Sequence, residues 1–119
     1  MTDIADIRIE LVDGVRIARV RGEIDASNAW AFSRTLRESV SNQERRLVVD
    51  LSKVPFIDSA GIRVLFELRR LLENHGQELI LVVPADAVIR RTLEVTTLLE
   101  AVPIVESEDL AAGDRPAGS

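Results

Sequence analysis

The sequence predicts an α/β fold: a mixed β-sheet that opens with an antiparallel hairpin and continues through βαβ crossovers, with helices packed on the sheet. Three observations predict it. Alternating apolar residues flank Asp13-Gly14, a strong two-residue hairpin signal. Two short apolar runs, at residues 47–51 and 78–83, have the length and composition of buried strands. Segments with apolar residues at three- and four-residue spacing separate these runs, and that period belongs to helices.

Taken in order, Ile7, Ile9 and Leu11 alternate with Arg8 and Glu10, so a strand is predicted at 7–12. A second is predicted at 15–21, where Val15, Ile17 and Arg19 alternate less cleanly because Ala18 and Val20 are also apolar. Residues 22–28 (Gly-Glu-Ile-Asp-Ala-Ser-Asn) are turn and capping types and read as a loop, with Ser27 as the N-cap of a first helix. Ala29, Phe32, Leu36 and Val40 supply that helix's stripe, and it should end near Ser41-Asn42. After the strand at 47–51 and a break at Pro55, Ser59 begins a second helix with Ile62, Leu65, Phe66, Leu68 and Leu72 as its stripe. His75-Gly76 closes it. The strand at 78–83 is stopped by Pro84, residues 85–93 read as a third helix, and Leu98-Leu99 as part of a short fourth. Pro103-Ile104-Val105 suits a last edge strand. The folded domain is expected over 1–105, and 106–119 as a flexible acidic tail. There is no internal repeat.

Composition narrows the function. The 119 residues fit one domain, and 46% hydrophobic residues mark it as globular. Aromatics are only 3%, so the core must be aliphatic. With no cysteine, neither a disulfide framework nor a thiolate metal site is possible, which fits a reducing cytoplasm. The N-terminus has no basic segment followed by an apolar run, so no signal peptide is expected, and no stretch approaches the ~20 apolar residues of a membrane span. Net charge is −5, of which the four acids and one arginine after residue 105 supply −3. Arg8, Arg16, Arg19 and Arg21 lack interleaved aromatics and read as solvated positions, so no nucleic-acid face is expected.

Enzyme chemistry finds little support. A nucleophilic Ser59 would need a base in hydrogen-bond reach. The single histidine, His75, is sixteen residues along the same helix, roughly 24 Å away at ~1.5 Å per residue. No Gly-x-Ser-x-Gly elbow and no glycine-rich nucleotide loop occurs. For a metal, one histidine leaves little beyond Asp25 and Asp58 on a weak Mg²⁺, and no metal site is expected. Trp30 and three phenylalanines are too few to suggest a sugar-binding cleft.

Topology points elsewhere. Strands joined by βαβ crossovers share a direction, so the loops at 22–27, 54–59 and 84–86 should meet at one edge of the sheet. Ligands and partners favour that edge in open α/β sheets. The first two loops bring Asp25, Asp58 and Ser59 into one neighbourhood. Read locally, Asp58-Ser59-Ala60-Gly61 is also simply a helix start, with Asp58 or Ser59 as cap and Gly61 allowing close packing.

Val49-Asp50-Leu51-Ser52 followed by Pro55-Phe56-Ile57-Asp58-Ser59-Ala60-Gly61-Ile62 resembles the signature of the STAS domain of bacterial anti-sigma factor antagonists. Gly22-Glu23-Ile24-Asp25 resembles that family's other loop. The resemblance covers nearly the whole expected domain. It implies a STAS-like sheet and a partner-switching protein without enzymatic activity or cofactor. The unphosphorylated form would bind an anti-sigma factor that is also a serine kinase, freeing a sigma factor. Phosphorylation at the position of Ser59 would end the complex, and a phosphatase would reset it. The implied partner surface is Asp25 with Glu23 and Ser27, and Asp58, Ser59, Ala60, Gly61 and Arg63. An unphosphorylated STAS module, such as the cytoplasmic subunit of an ABC lipid-transport system or a signalling-scaffold component, is the alternative. Two positions depart from the pattern. Thr97 stands where a glycine is expected after the third helix, so that helix should end differently. Arg63 puts a cation near a helix N-terminus, where it could pair with Asp58, with a phosphate on Ser59 or with a partner's acid.

Overall fold

β1 (Asp6–Val12) and β2 (Val15–Arg21) form the predicted antiparallel hairpin, with Val12 opposite Val15. Both turn residues have positive φ, 51° at Asp13 and 80° at Gly14. A two-residue turn that follows the strand twist needs this geometry, which Asx-Gly accepts at little cost. The structure, a computed structural model, describes residues 5–112.

β3 (Arg46–Lys53), β4 (Glu78–Val82) and β5 (Ile104–Val105) join in parallel, giving the sheet order β1-β2-β3-β4-β5. The crossovers are α1 (Ala29–Ser39), α2 (Ser59–Asn74), and α3 (Val88–Glu94) with α4 (Leu98–Ala101). The fold is the mixed α/β sheet with a leading hairpin that the sequence predicts.

Strand periodicity divides the core in two. Ala18, Val20, Leu47, Val49, Leu51, Leu79 and Leu81 share the main cluster with Phe32, Leu36, Leu65, Leu68 and Leu72 of the helices. The alternate positions Ile17, Val48, Ile80 and Val82 form a smaller cluster with Ala111. β3 and β4 read as continuous apolar runs because each serves both clusters.

Ala111 belongs to α5 (Glu108–Ala112), where the sequence reading places a flexible tail from residue 106. That expectation is corrected for 106–112; the remainder of the tail, 113–119, lies outside the described residues. Glu108 holds the guanidinium of Arg19 through both oxygens, each at 2.8 Å, and Arg19 also pairs with Glu10. The hydrogen bond from Arg19 pulls the Glu108 carboxyl down to about 2, helped by one shared with Asp50. Asp50 is shifted upward, first by burial and then by its hydrogen bond to Glu108. Glu108 thus keeps its charge for Arg19, and Asp50 is the acid whose ionisation the fold disfavours.

Other boundaries shift for local reasons. α1 ends at Ser39, short of Ser41-Asn42, because Val40 is already extended at ψ 132°. α3 begins at Val88, later than residue 85, after a turn in which the Ala87 N–H donates to the Pro84 carbonyl. It closes without a left-handed residue: the Thr96 hydroxyl donates to the Leu93 carbonyl at 2.8 Å, so Thr97 is tolerated. In β1 the apolar face is only partly covered, leaving Ile9 and Leu11 exposed.

Candidate functional site

The loops following β2 and β3 are stitched to each other. Ile24 and Ile57 form an isolated parallel bridge, in which the Ile24 N–H donates to Phe56 and the Asp58 N–H donates to Ile24, at 3.0 and 3.1 Å. Both isoleucines are buried. The expected meeting of these two loops at one sheet edge is therefore present, and backbone hydrogen bonds fix it.

Asp58 completes the joint. It is the N-cap of α2, its Oδ1 accepting from the N–H groups of Ala60 and Gly61 at 2.9 and 3.2 Å. Its Oδ2 accepts from the Ala26 N–H at 3.2 Å, in the other loop. One carboxylate thus starts the helix and ties the two loops together. Gly61 lies beneath. A Cβ there would stand 2.6 Å from Ile57 Cγ1 and 2.7 Å from Ile24 Cγ2, so only glycine lets α2 begin directly on the isoleucine bridge. Gly61 is buried and supports the edge from below, unlike the other residues singled out there.

Asp25 and Ser27 form a closed turn. Asp25 Oδ1 accepts from the Ser27 hydroxyl at 2.5 Å and from its N–H at 2.9 Å. These two bonds, the hydroxyl first, lower the Asp25 pKa and keep a half-buried carboxylate charged. Ser27 is consequently not the N-cap of α1. That position falls to Asn28, which makes no side-chain cap. Instead its buried amide spans the loop, donating to the Glu23 carbonyl at 2.8 Å and accepting from the Asp25 N–H at 3.0 Å. Glu23 itself is exposed.

Ser59 is the first residue of α2 and is exposed, and its hydroxyl makes no hydrogen bond among the described residues. It opens onto a groove of about 420 Å³ between α1 and α2, shared with Ala60, Arg63, Glu67, Trp30 and Ser33. Trp30 is 73% exposed and carries Arg34 over its ring at 5.5 Å, which makes it the largest apolar feature beside Ser59. No sequence motif marks Trp30 as part of this edge; its signal is its position one residue off the Ala29–Phe32–Leu36 stripe, on the outward side of α1. Phe56, also exposed, flanks the bridge from the other loop. The residues after β4 form a separate pocket with α3 and do not line this groove. Among the described residues no cluster of three His, Cys, Asp or Glu side chains could hold a metal ion, and both candidate carboxylates, Asp25 and Asp58, accept from N–H groups. No helix among them is long and apolar enough to cross a membrane.

The chain belongs to the STAS domain family, whose profile matches residues 6–111. It is 30% identical to BtrV of Bordetella bronchiseptica, assigned as an anti-sigma factor antagonist, over 89% of this chain and 90% of that one. A crystal structure of an anti-sigma factor antagonist from Mycobacterium paratuberculosis is similar at TM-score 0.81 and 29% identity, covering 92% of each chain. The phosphorylated form of SpoIIAA, a Bacillus cell fate determinant, shares the fold at TM-score 0.66 and 17% identity, covering 92% of this chain and all of that one.

Proposed function

We propose that this chain is an anti-sigma factor antagonist switched by phosphorylation of Ser59. Unmodified, it binds an anti-sigma factor with serine kinase activity through Asp25, Glu23, Ser27, Asp58, Ser59, Ala60 and Arg63, so that a sigma factor is released. The kinase then modifies Ser59 and the complex separates, until a phosphatase restores the hydroxyl. It is a binding module of the cytoplasm rather than an enzyme. The single observation that carries this reading is the exposed, unbonded Ser59 hydroxyl on an edge held rigid by Asp58. Relatives of the family named for sigma-factor antagonism support the partner class, and a SpoIIAA solved in phosphorylated form supports the chemistry.

The physical effect of the modification is electrostatic. A phosphate brings about −1.5 to −2 charges, and at a helix N-terminus that charge is tolerated by the dipole, so the fold survives. Asp58 and Asp25 already make the edge acidic. Two unit charges roughly 6 Å apart at an effective dielectric of about 20 repel by roughly 2.8 kcal/mol. A partner presenting an acid there would lose about a hundredfold in affinity, since each ~1.4 kcal/mol is tenfold.

Peptide mass spectrometry of the protein recovered from its own cells tests this. Phosphate on Ser59 in part of the population is expected within residues 54–69. Its absence under every growth condition would overturn the switch and leave a constitutive STAS module.

A further inference from the structure

Arg63 is placed unlike the arginines that pair along their own helices. Arg34 pairs with Glu38 and Arg69 with Glu73, each four residues on. Arg63 has an acid at the same spacing, Glu67, but Glu67 reaches across to Arg37 of α1 at 3.9 Å. Asp58, the other nearby acid, has both oxygens on backbone N–H groups. Among the described residues Arg63 has no ion-pair partner, and it is exposed. The first turn of α2 holds no acid that would call for a cation there, and a cation near a helix N-terminus opposes the dipole. Four residues before Arg63 stands Ser59. Residues at this spacing are neighbours on the helix surface, about 5–6 Å between Cβ atoms, and both side chains line the α1–α2 groove.

We propose that Arg63 is the intramolecular receptor for a phosphate on Ser59, and that forming this pair withdraws the guanidinium from the groove where the unmodified protein offers it to a partner. The proposal rests on reading Ser59 as a modification site. The planar guanidinium fork matches phosphate oxygens in a bidentate pair, and an anion four residues N-terminal to the cation is the favourable orientation on a helix. Modification then changes the edge twice, adding an anion and removing the cation a partner's carboxylate would use. The other charged groups around the site do not substitute for Arg63. Asp58 and Asp25 are acids and would hold the phosphate's second proton more tightly. From α1, the groove is lined by Ala29, Trp30 and Ser33, none of which titrates. Arg34 is engaged by Glu38 above Trp30, and Arg37 by Glu67.

The test is to install phosphoserine at position 59 of the full chain by genetic code expansion and follow its phosphorus NMR shift through a pH titration. The same phosphoprotein carrying Arg63→Gln is the comparison. The second ionisation should fall at lower pH with arginine present, by about half a unit, or roughly threefold in proton affinity. Arg63→Lys should recover only part of that difference, because a point charge replaces the fork. Indistinguishable midpoints for arginine and glutamine would overturn the pairing. Because the phosphate is placed without a kinase, that result would leave the Ser59 switch standing, whereas an unmodified Ser59 in cells would remove the switch and leave the chemical pairing measurable. Position 63 is exposed, so neither variant should alter folding.

Discussion

Gly61 decides whether the edge can form. The missing Cβ leaves room for Ile57 Cγ1 and Ile24 Cγ2, which would otherwise stand at 2.6 and 2.7 Å, inside van der Waals contact. These are core atoms of the bridge that joins the two loops, so they cannot simply swing away. Gly61→Ala should therefore destabilise the protein by about 1–3 kcal/mol, the usual range for overpacking, despite alanine's better helix propensity. Urea unfolding would measure it, and a midpoint equal to or above that of the unmodified protein would contradict the account. Combining the change with Ile57→Ala should cost less than the sum of the two alone, because the cavity of one receives the methyl of the other. At this scale the sequence was legible where a role is local. A cap at Asp58 or Ser59 and Gly61 as a close approach both follow from a helix start read in isolation, and the structure gives the cap to Asp58. It was not legible where neighbours compete. Ser27 and Asn28 are both good capping types, and only the path of the loop, which brings the Glu23 carbonyl to Asn28 and Asp25 to Ser27, assigns each its partner.

Among the elements, α5 departs furthest from sequence expectation. Five residues give no periodicity, and the acids around it suggest a solvated tail. Its anchor is non-local: Glu108 meets Arg19, 89 residues away, and both belong to a charge cluster with Asp50 on the strand beside it. The two acids have opposite pH signatures. Glu108 is lowered to about 2 from an ordinary value of 4.5, so its contribution is fully present above about 4.5 and lost as pH falls toward about 2. Glu108→Gln should thus lower the melting temperature at neutral pH, with the deficit shrinking on acidification through that window. Asp50 is raised above its ordinary 3.8, so its ionised form opposes folding at neutral pH and ceases to do so as pH drops through its folded value and then 3.8. Asp50→Asn should raise the melting temperature at neutral pH, since an amide can donate to Glu108 and still accept from the Ser52 N–H. That gain should vanish below about 3.8. Parallel pH profiles for the two variants would refute the opposite shifts of these two acids.

Across the whole molecule, the sheet keeps two faces with different tasks. The face under α1 and α2 carries the main cluster and ends in the loop edge, while the opposite face is closed by α5 over Ile17, Val48, Ile80 and Val82. The polar groups that α5 engages are on the strands, Arg19 of β2 and Arg46 and Asp50 of β3. Removing residues 107–119 should therefore uncover the small cluster and leave the edge in place. Ala111 is 1% exposed and the strand residues beneath it are buried, so loss of this cover, which uncovers them only in part, should cost on the order of 2 kcal/mol, about what one aliphatic side chain contributes when fully buried. Lower thermal stability and binding of a hydrophobic dye are expected. Amide spectra should change along β2, β3 and β4, and residues 22–28 and 54–61 should keep their positions. Large shifts in those loops would show that α5 and the edge are coupled through the sheet, and a partner seated at Ser59 would then feel the state of the C-terminal helix.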